Sequence, residues 1–423
     1  MTTIDRSDEM QDLFNPDGTD REPEDDDDFW TVRPVLAHIR TSARARRVAP
    51  WGLLGVSLLR VLATVEPSVH LPAIVGGTAS LNLFIGLVGR SGGGKGATEA
   101  AALDALDITG PIMDAPSLPV GSGEGIGRTY RPHGTESDAP NPVRSAIFTA
   151  GEVDTLAALG SRTGSTLMGQ LRHMYMGETL GFSNAGQSTR ITVARHTYRA
   201  GLIVGIQPLK AAVLLDDADG GTPQRFVWLP VTDPRAPSTR PDAPPPMTIT
   251  VPRAAATPMP VAETARAAID AHRLATLRGE DVDPLDGHKL LCQLKVAAAL
   301  ALLDERDAVG EADWSLAAVV MGVSAMTREA CRRAVDERRR RANRARAHDD
   351  AERAEIVAEK EDERLDRRAR EGIIRHLDRH PDSTRAPIRR SLKFELRTRF
   401  DSALDDLIAQ EVVTSIGDTF RLA

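Results

Sequence analysis

Apolar and polar positions run through this chain in three regimes. From residue 29 to about residue 71 apolar side chains recur at helical spacing, first Val35, Leu36 and Ile39, then Leu53, Leu54, Val56, Leu58, Leu59, Val61 and Leu62. Such spacing predicts helices with a buried face. The pattern then changes to short runs. Residues 81–88 (LNLFIGLV) form an apolar run bounded by turn formers, which predicts a buried parallel strand. Residues 145–149 (SAIFT), 197–205 (TYRAGLIVG) and 225–229 (RFVWL) predict three more strands, with helical or loop segments between them. Strands alternating with helices imply an α/β core with a mostly parallel sheet.

The third regime follows a crowd of prolines, Pro237, Pro241, Pro244, Pro245 and Pro246, which reads as a linker or surface excursion. Beyond it the chain turns helical. Residues 288–303 (HKLLCQLKVAAALALL) are strongly apolar, residues 314–323 are amphipathic, and residues 328–370 are a charged run of both signs, either an extended helix or a linker. Helical stretches at 372–379, 387–392 and 398–410 precede a closing strand, a Gly417-Asp418 turn and a second strand (VVTSIGDTFRLA). That order predicts a winged helix-turn-helix. The expected domains are a disordered acidic tail (1–28), a helical lead-in (29–80), an α/β core (81–235), a Pro-rich linker (236–260), a helical lid-like region (261–345), a charged helix or linker (346–370) and the winged helix (371–423).

Charge alters this picture mainly through its placement. The formal net charge of −7 owes much to Asp20, Glu22, Glu24 and the aspartates at 25–28, whereas residues 332–346 are dense in arginine. The body is therefore open to a polyanionic partner. The two cysteines, Cys292 and Cys331, fall in helical sequence, which argues against a disulfide framework or a Cys-based zinc cluster. The start is acidic with no apolar core after it, unlike a secretory signal. The most apolar early stretch, residues 51–65, is broken by Arg60 and too short to span a bilayer. The expectation is a cytoplasmic protein with no membrane partner.

The sharpest chemical signal follows the first core strand. Gly89, Arg90, Ser91, Gly92, Gly93, Gly94 and Lys95 match the G-x-x-x-x-G-K pattern of a phosphate-binding loop. Glycines let successive backbone N–H groups turn inward, the next helix offers its N-terminus, and the lysine supplies charge to the terminal phosphates. The buried run before the loop and the alanine-rich residues 97–106 after it supply the context that the motif requires. Binding of ATP with Mg²⁺ is expected, through residues Gly89 to Thr98, with Gly96 and Ala97 inside that span. Gly96 stands where a Ser or Thr hydroxyl would hold the metal, leaving Thr98 as the nearest hydroxyl.

An ATPase also needs a carboxylate at the end of a neighbouring strand. Residues 145–156 (SAIFTAGEVDTL) offer Glu152 as the water-activating base and Asp154 as a metal candidate, with Gly151 in the place of a second carboxylate. The alternative is that both are surface carboxylates at a helix start. Gln207, ending an apolar strand, reads as a sensor of the terminal phosphate or as an ordinary polar strand end. Arg225, at the start of the last core strand, reads as an arginine reaching a neighbouring subunit's nucleotide or as a solvated edge residue.

Taken in order, FWTVRPVLAHI, SLNLFIGLVGRSGGGKG, PVGSGEGI, FTAGEVDTL, GIQPL, QRFVWLP and HKLLCQLKVAAALALLDERDAV resemble a family of P-loop proteins from actinobacterial phages and integrated mobile elements, related to primase-associated, helicase-like ATPases. The resemblance covers roughly residues 29–323. It implies a P-loop NTPase core of the RecA/AAA+-like kind and work on DNA during replication, with Lys95 on phosphate, Glu152 in hydrolysis, Gln207 as sensor and Arg225 acting in trans. Its implied partners are DNA, further copies of the chain (a hexameric ring being one form), and primase or other replication proteins. The segment GSGEG (121–125) is either a ligand-facing loop or a plain turn.

In the C-terminal segment Arg385, Arg389, Arg390, Lys393, Arg397 and Arg399 cluster about the second helix and the start of the third, opposed by Glu395. Helix-turn-helix modules set the third helix in the major groove and use basic neighbours on phosphates, so these residues are the candidate DNA contacts. A winged helix used for protein contacts is the alternative. The reading that follows is a DNA-dependent, helicase-like ATPase of a phage or mobile element. Its rivals are a nucleotide-gated DNA-binding adaptor of the helicase-loader kind and a small-molecule phosphotransferase. The last is disfavoured because Ala97 fills the place of that class's Thr.

Overall fold

The computed structural model describes residues 26–131, 143–160, 162, 165–182, 191–217, 220–253, 257–280 and 288–423. Residues 1–25 of the expected acidic tail, 254–256 of the Pro-rich linker and 281–287 of the lid-like region lie outside the described residues. The chain divides into two units, Met1–Glu337 and Arg338–Ala423.

The first unit is an α/β protein built on a five-stranded parallel sheet flanked by helices. Its strands are β1 (Leu83–Val88), β2 (Ser117–Pro119), β3 (Ser145–Ala150), β4 (Arg199–Ile206) and β5 (Phe226–Pro230), in the spatial order β5-β1-β4-β3-β2. Four of these match the apolar runs within two residues at either end. β2 is unforeseen, being three residues long and largely exposed. Arg225 falls just outside β5, in a short 3₁₀ turn, Pro223–Arg225.

Period-two alternation divides each strand between two apolar layers. Leu83, Ile85, Leu87, Ile203, Val227 and Leu229 face one layer, whereas Phe84, Val88, Leu202, Val204, Phe226 and Trp228 face the other. The first layer is covered by α1 (Pro34–Ala45), α2 (Pro50–Ala63), α3 (Lys95–Ala105) and α4 (Lys289–Leu303). α2 lies almost against the sheet because of its glycines. A Cβ at Gly55 would stand 2.4 Å from Leu229 Cδ1 and 3.1 Å from Ile85 Cγ2. A long helix, α5 (Glu311–Arg379), absorbs the charged run that reads as helix or linker. Its Ser324 Oγ accepts a hydrogen bond from the Trp228 N–H at 2.8 Å, satisfying a donor on edge strand β5.

The second unit has its own small core. α6 (Arg385–Ser391), a 3₁₀ turn (Phe394–Leu396) and α7 (Phe400–Ala409) follow α5, and a three-stranded antiparallel sheet joins β6 (Ser383–Thr384), β7 (Val413–Ile416) and β8 (Thr419–Leu422). Ile373, Leu377, Ile388, Leu392, Phe400, Leu404 and Phe420 form its apolar centre. Gly417 turns the β7–β8 hairpin at φ +59°, in the region that favours glycine. Among the described residues no helix is long and apolar enough to cross a membrane.

Candidate functional site

Open parallel sheets bind ligands beyond the carboxyl ends of their strands, where strand order reverses. Here β1 leads out toward β2 at one edge, while β4 leads across to β5 at the other, so the reversal lies between β1 and β4. The loop between β1 and α3 opens at that point.

The loop backbone explains its glycines individually. Gly92 and Gly94 have φ of +74° and +89°, which a side chain would strain. A Cβ at Gly89 would stand 2.2 Å from Val231 Cγ2, so this glycine permits close packing. Two backbone bonds pin the loop, from Gly89 N to Ile206 O at 2.9 Å and from Gly93 N to Arg90 O at 3.0 Å. α3 then begins at Lys95, earlier than the alanine run suggests, with no capping side chain and no acidic residue in its first turn. Its first N–H groups and dipole therefore favour an external anion. Ser91, Gly92, Gly93, Gly96 and Ala97 are exposed, as is Arg90.

Lys95 curls over this loop, donating to Gly89 O at 3.0 Å and Arg90 O at 2.8 Å. Burial lowers its pKa, and the nearby Glu152 carboxylate works against that shift. Glu152 stands two residues beyond β3, and Gln207 directly follows β4, which lies between β3 and β1. The Gln207 amide donates to Glu152 Oε1 at 3.2 Å. Three of the four expected catalytic side chains thus meet at one edge.

Gly205 on β4 makes this convergence possible and is not evident from the sequence as a site residue. A Cβ there would stand 2.0 Å from Gly151 O and 3.2 Å from Lys95 Cδ. Its only sequence signal is a glycine inside an apolar strand, which commonly marks close backbone approach.

Arg225 is not brought to this edge. It precedes β5, whose first residue pairs with Phe84 near the start of β1, whereas the loop follows the end of β1. The guanidinium donates to Gly220 O at 3.0 Å and lies 6.0 Å from the Tyr175 ring centroid, and the residue is only 9% exposed. Within the single chain Arg225 is thus turned inward rather than standing as a solvated edge residue.

The metal candidates are also drawn elsewhere. Thr98 is fully buried, its hydroxyl donating to Gly94 O at 2.9 Å while its methyl group abuts Gly52 of α2. Asp154 forms an ion pair with Lys210. Gly96 and Gly151 offer no side chain, and among the described residues no cluster of three or more His, Cys, Asp or Glu could hold a metal. The uncapped helix start offers N–H donors suited to an anion, and among the described residues Thr98 and Asp154 are both engaged by other groups rather than turned to a metal. GSGEG begins a short helix, Gly123–Thr129, capped by Ser122 Oγ accepting from Gly125 N at 3.2 Å.

In the second unit the six candidate DNA contacts divide. Arg385 pairs with Asp401 at 3.1 Å and Asp405 at 3.6 Å, and Arg399 pairs with Asp362 at 2.5 Å and Asp366 at 3.5 Å. Arg397 donates to the carbonyls of Leu392 and Arg390 at 3.1 and 3.2 Å. Arg389, Arg390 and Lys393 are exposed. α7 itself carries Asp401, Asp405 and Asp406 and no basic residue. On this helix, the one expected in the major groove, the aspartates engage Arg385 and Arg370.

Comparison with protein-family models and with curated protein sequences finds no match to this chain.

Proposed function

We propose that this chain is a P-loop ATPase of the helicase-like kind, which binds ATP at the carboxyl edge of its sheet and acts on DNA through a C-terminal winged-helix unit. The observation that carries the reading is the Gly89–Gly94 turn opening onto an uncapped helix, with Lys95, Glu152 and Gln207 converging beside it. Backbone N–H groups and the Lys95 ammonium hold the phosphates. Glu152 accepts a proton from the water that attacks the terminal phosphorus as the β–γ bridging bond breaks, yielding ADP and phosphate. Gln207 positions that carboxylate and acts as the sensor of the terminal phosphate.

Hydrolysis is expected to be slow unless DNA or a second subunit completes the site, because Gly96, Gly151, buried Thr98 and paired Asp154 leave the metal positions unfilled. That same observation favours a second reading, a nucleotide-gated DNA-binding adaptor that turns over little ATP. Phosphate release by the full chain and by Lys95→Ala, with and without DNA, separates the two. Stimulation by DNA that is lost in Lys95→Ala supports the ATPase. Saturable ATP binding with no turnover under any condition supports the adaptor, and absence of ATP binding overturns both.

A further inference from the structure

The second unit exposes an aromatic ring in basic surroundings. Phe394 is 86% exposed on the 3₁₀ turn between α6 and α7, whereas Phe400 and Phe420 of the same unit are buried. It lines a cavity of about 600 Å³ together with Arg385, Arg389, Arg390 and Arg397. The one carboxylate in that lining, Asp401, is paired with Arg385, and the neighbouring Glu395 is paired with Arg368 at 2.9 Å. The concavity is thus an aromatic face ringed by net positive charge, of a size in the roughly 300–1,000 Å³ range of small-molecule clefts.

We propose that Phe394 is a stacking platform for an unpaired base of single-stranded DNA, whose flanking phosphates are held by Arg389, Arg390 and Arg397. This rests on the DNA reading above and narrows it to one form of DNA. Two observations favour a single strand over a duplex. α7, the helix that a helix-turn-helix module sets in the major groove, carries no basic residue for its phosphates, and its three aspartates engage Arg385 and Arg370. A solvent-facing ring beside arginines needs a base whose π-face is free, and stacked pairs in a duplex do not offer one.

The test is fluorescence anisotropy with the full chain in the absence of nucleotide, using a labelled dT oligomer of about 20 residues, its rU counterpart and a duplex of equal length. The wild type binds dT more tightly than duplex. Phe394→Ala weakens dT binding about 5- to 150-fold with little change for duplex, and Phe394→Trp retains dT affinity, as stacking requires. Phe394 is exposed, so these variants keep the fold, which circular dichroism checks. Unchanged dT affinity in Phe394→Ala, tighter binding of duplex or tighter binding of rU overturns the proposal. If the wild type binds no nucleic acid, the broader DNA reading fails with it. If it binds DNA regardless of residue 394, the inference fails alone.

Discussion

At the amino end of the parallel sheet Arg199 donates to the carbonyls of Glu66 and Val69, both at 2.8 Å, and Lys295 donates to those of Asn82 and Tyr175 at 2.8 and 2.6 Å. At the carboxyl end Lys95 curls onto two loop carbonyls beside an uncapped helix start and exposed glycines. All three are cations near strand ends, yet their company differs. Arg199 and Lys295 are fully buried, burial pushing the first down to about 9 and the second well below the usual lysine range. They are locked by acceptors and tie loops to the sheet. Lys95 also rests on two carbonyls, but it is half-buried and stands beside the uncapped N–H groups of a helix start, the surroundings of a cation that shares an anion. A cation's neighbours, more than its burial, distinguish scaffold from site.

The comparison breaks most visibly at Arg199. Its replacement by alanine removes a buried donor from Ser80 Oγ and from the carbonyls of Val65, Glu66 and Val69, and we expect a loss of about 3 kcal/mol in stability, seen as a lower melting temperature. ATP affinity of the folded fraction stays within about twofold, since the site is at the other end of the sheet. Gly205→Ala sharpens the opposite end. A methyl group pressed on Gly151 O and the Lys95 stem costs about 1–3 kcal/mol and weakens ATP binding roughly tenfold, measurable by calorimetry. Loss of stability without loss of affinity would detach Gly205 from the site.

Gly96→Thr tests the metal positions. Nothing lies within 4 Å of a Cβ at residue 96, so stability changes by only about 0.5 kcal/mol. Phosphate release with Mg²⁺ should rise severalfold if a missing hydroxyl limits hydrolysis. A pH-dependent effect is expected at His288, beside the amino-end network. Burial, then the charges of Arg225 and Lys295, push its pKa from 6.5 down to about 4. The unfolded chain therefore binds the proton first, and stability falls as pH drops from about 6.5 toward 4. His288→Gln should flatten that part of a melting-temperature profile.

What was legible in the sequence follows from the same contrast. β1 and the loop after it are local features, a buried run followed by glycines, and both were readable without tertiary knowledge. Glu152 and Gln207 were readable as strand ends, because parallel strands bring their carboxyl ends to one edge. Lys295 was hidden inside an apolar helical run, where nothing local indicates that its ammonium meets the carbonyls of Asn82 and Tyr175. The burial of Arg225 is hidden for a related reason, since it depends on the distant Tyr175 ring as well as on the nearby Gly220 carbonyl. Phe394 sits in a polar stretch whose pattern says nothing about which aromatic rings the small C-terminal core leaves outside.

The central claim is that the Gly89–Lys95 turn holds a nucleoside triphosphate, and direct titration of a fluorescent ATP analogue into the full chain tests it without requiring turnover. Saturable binding by the wild type is expected. Lys95→Ala should bind at least about tenfold more weakly, with an unchanged melting temperature. No saturable binding by the wild type, or equal affinity in the Lys95→Ala variant, would contradict that claim.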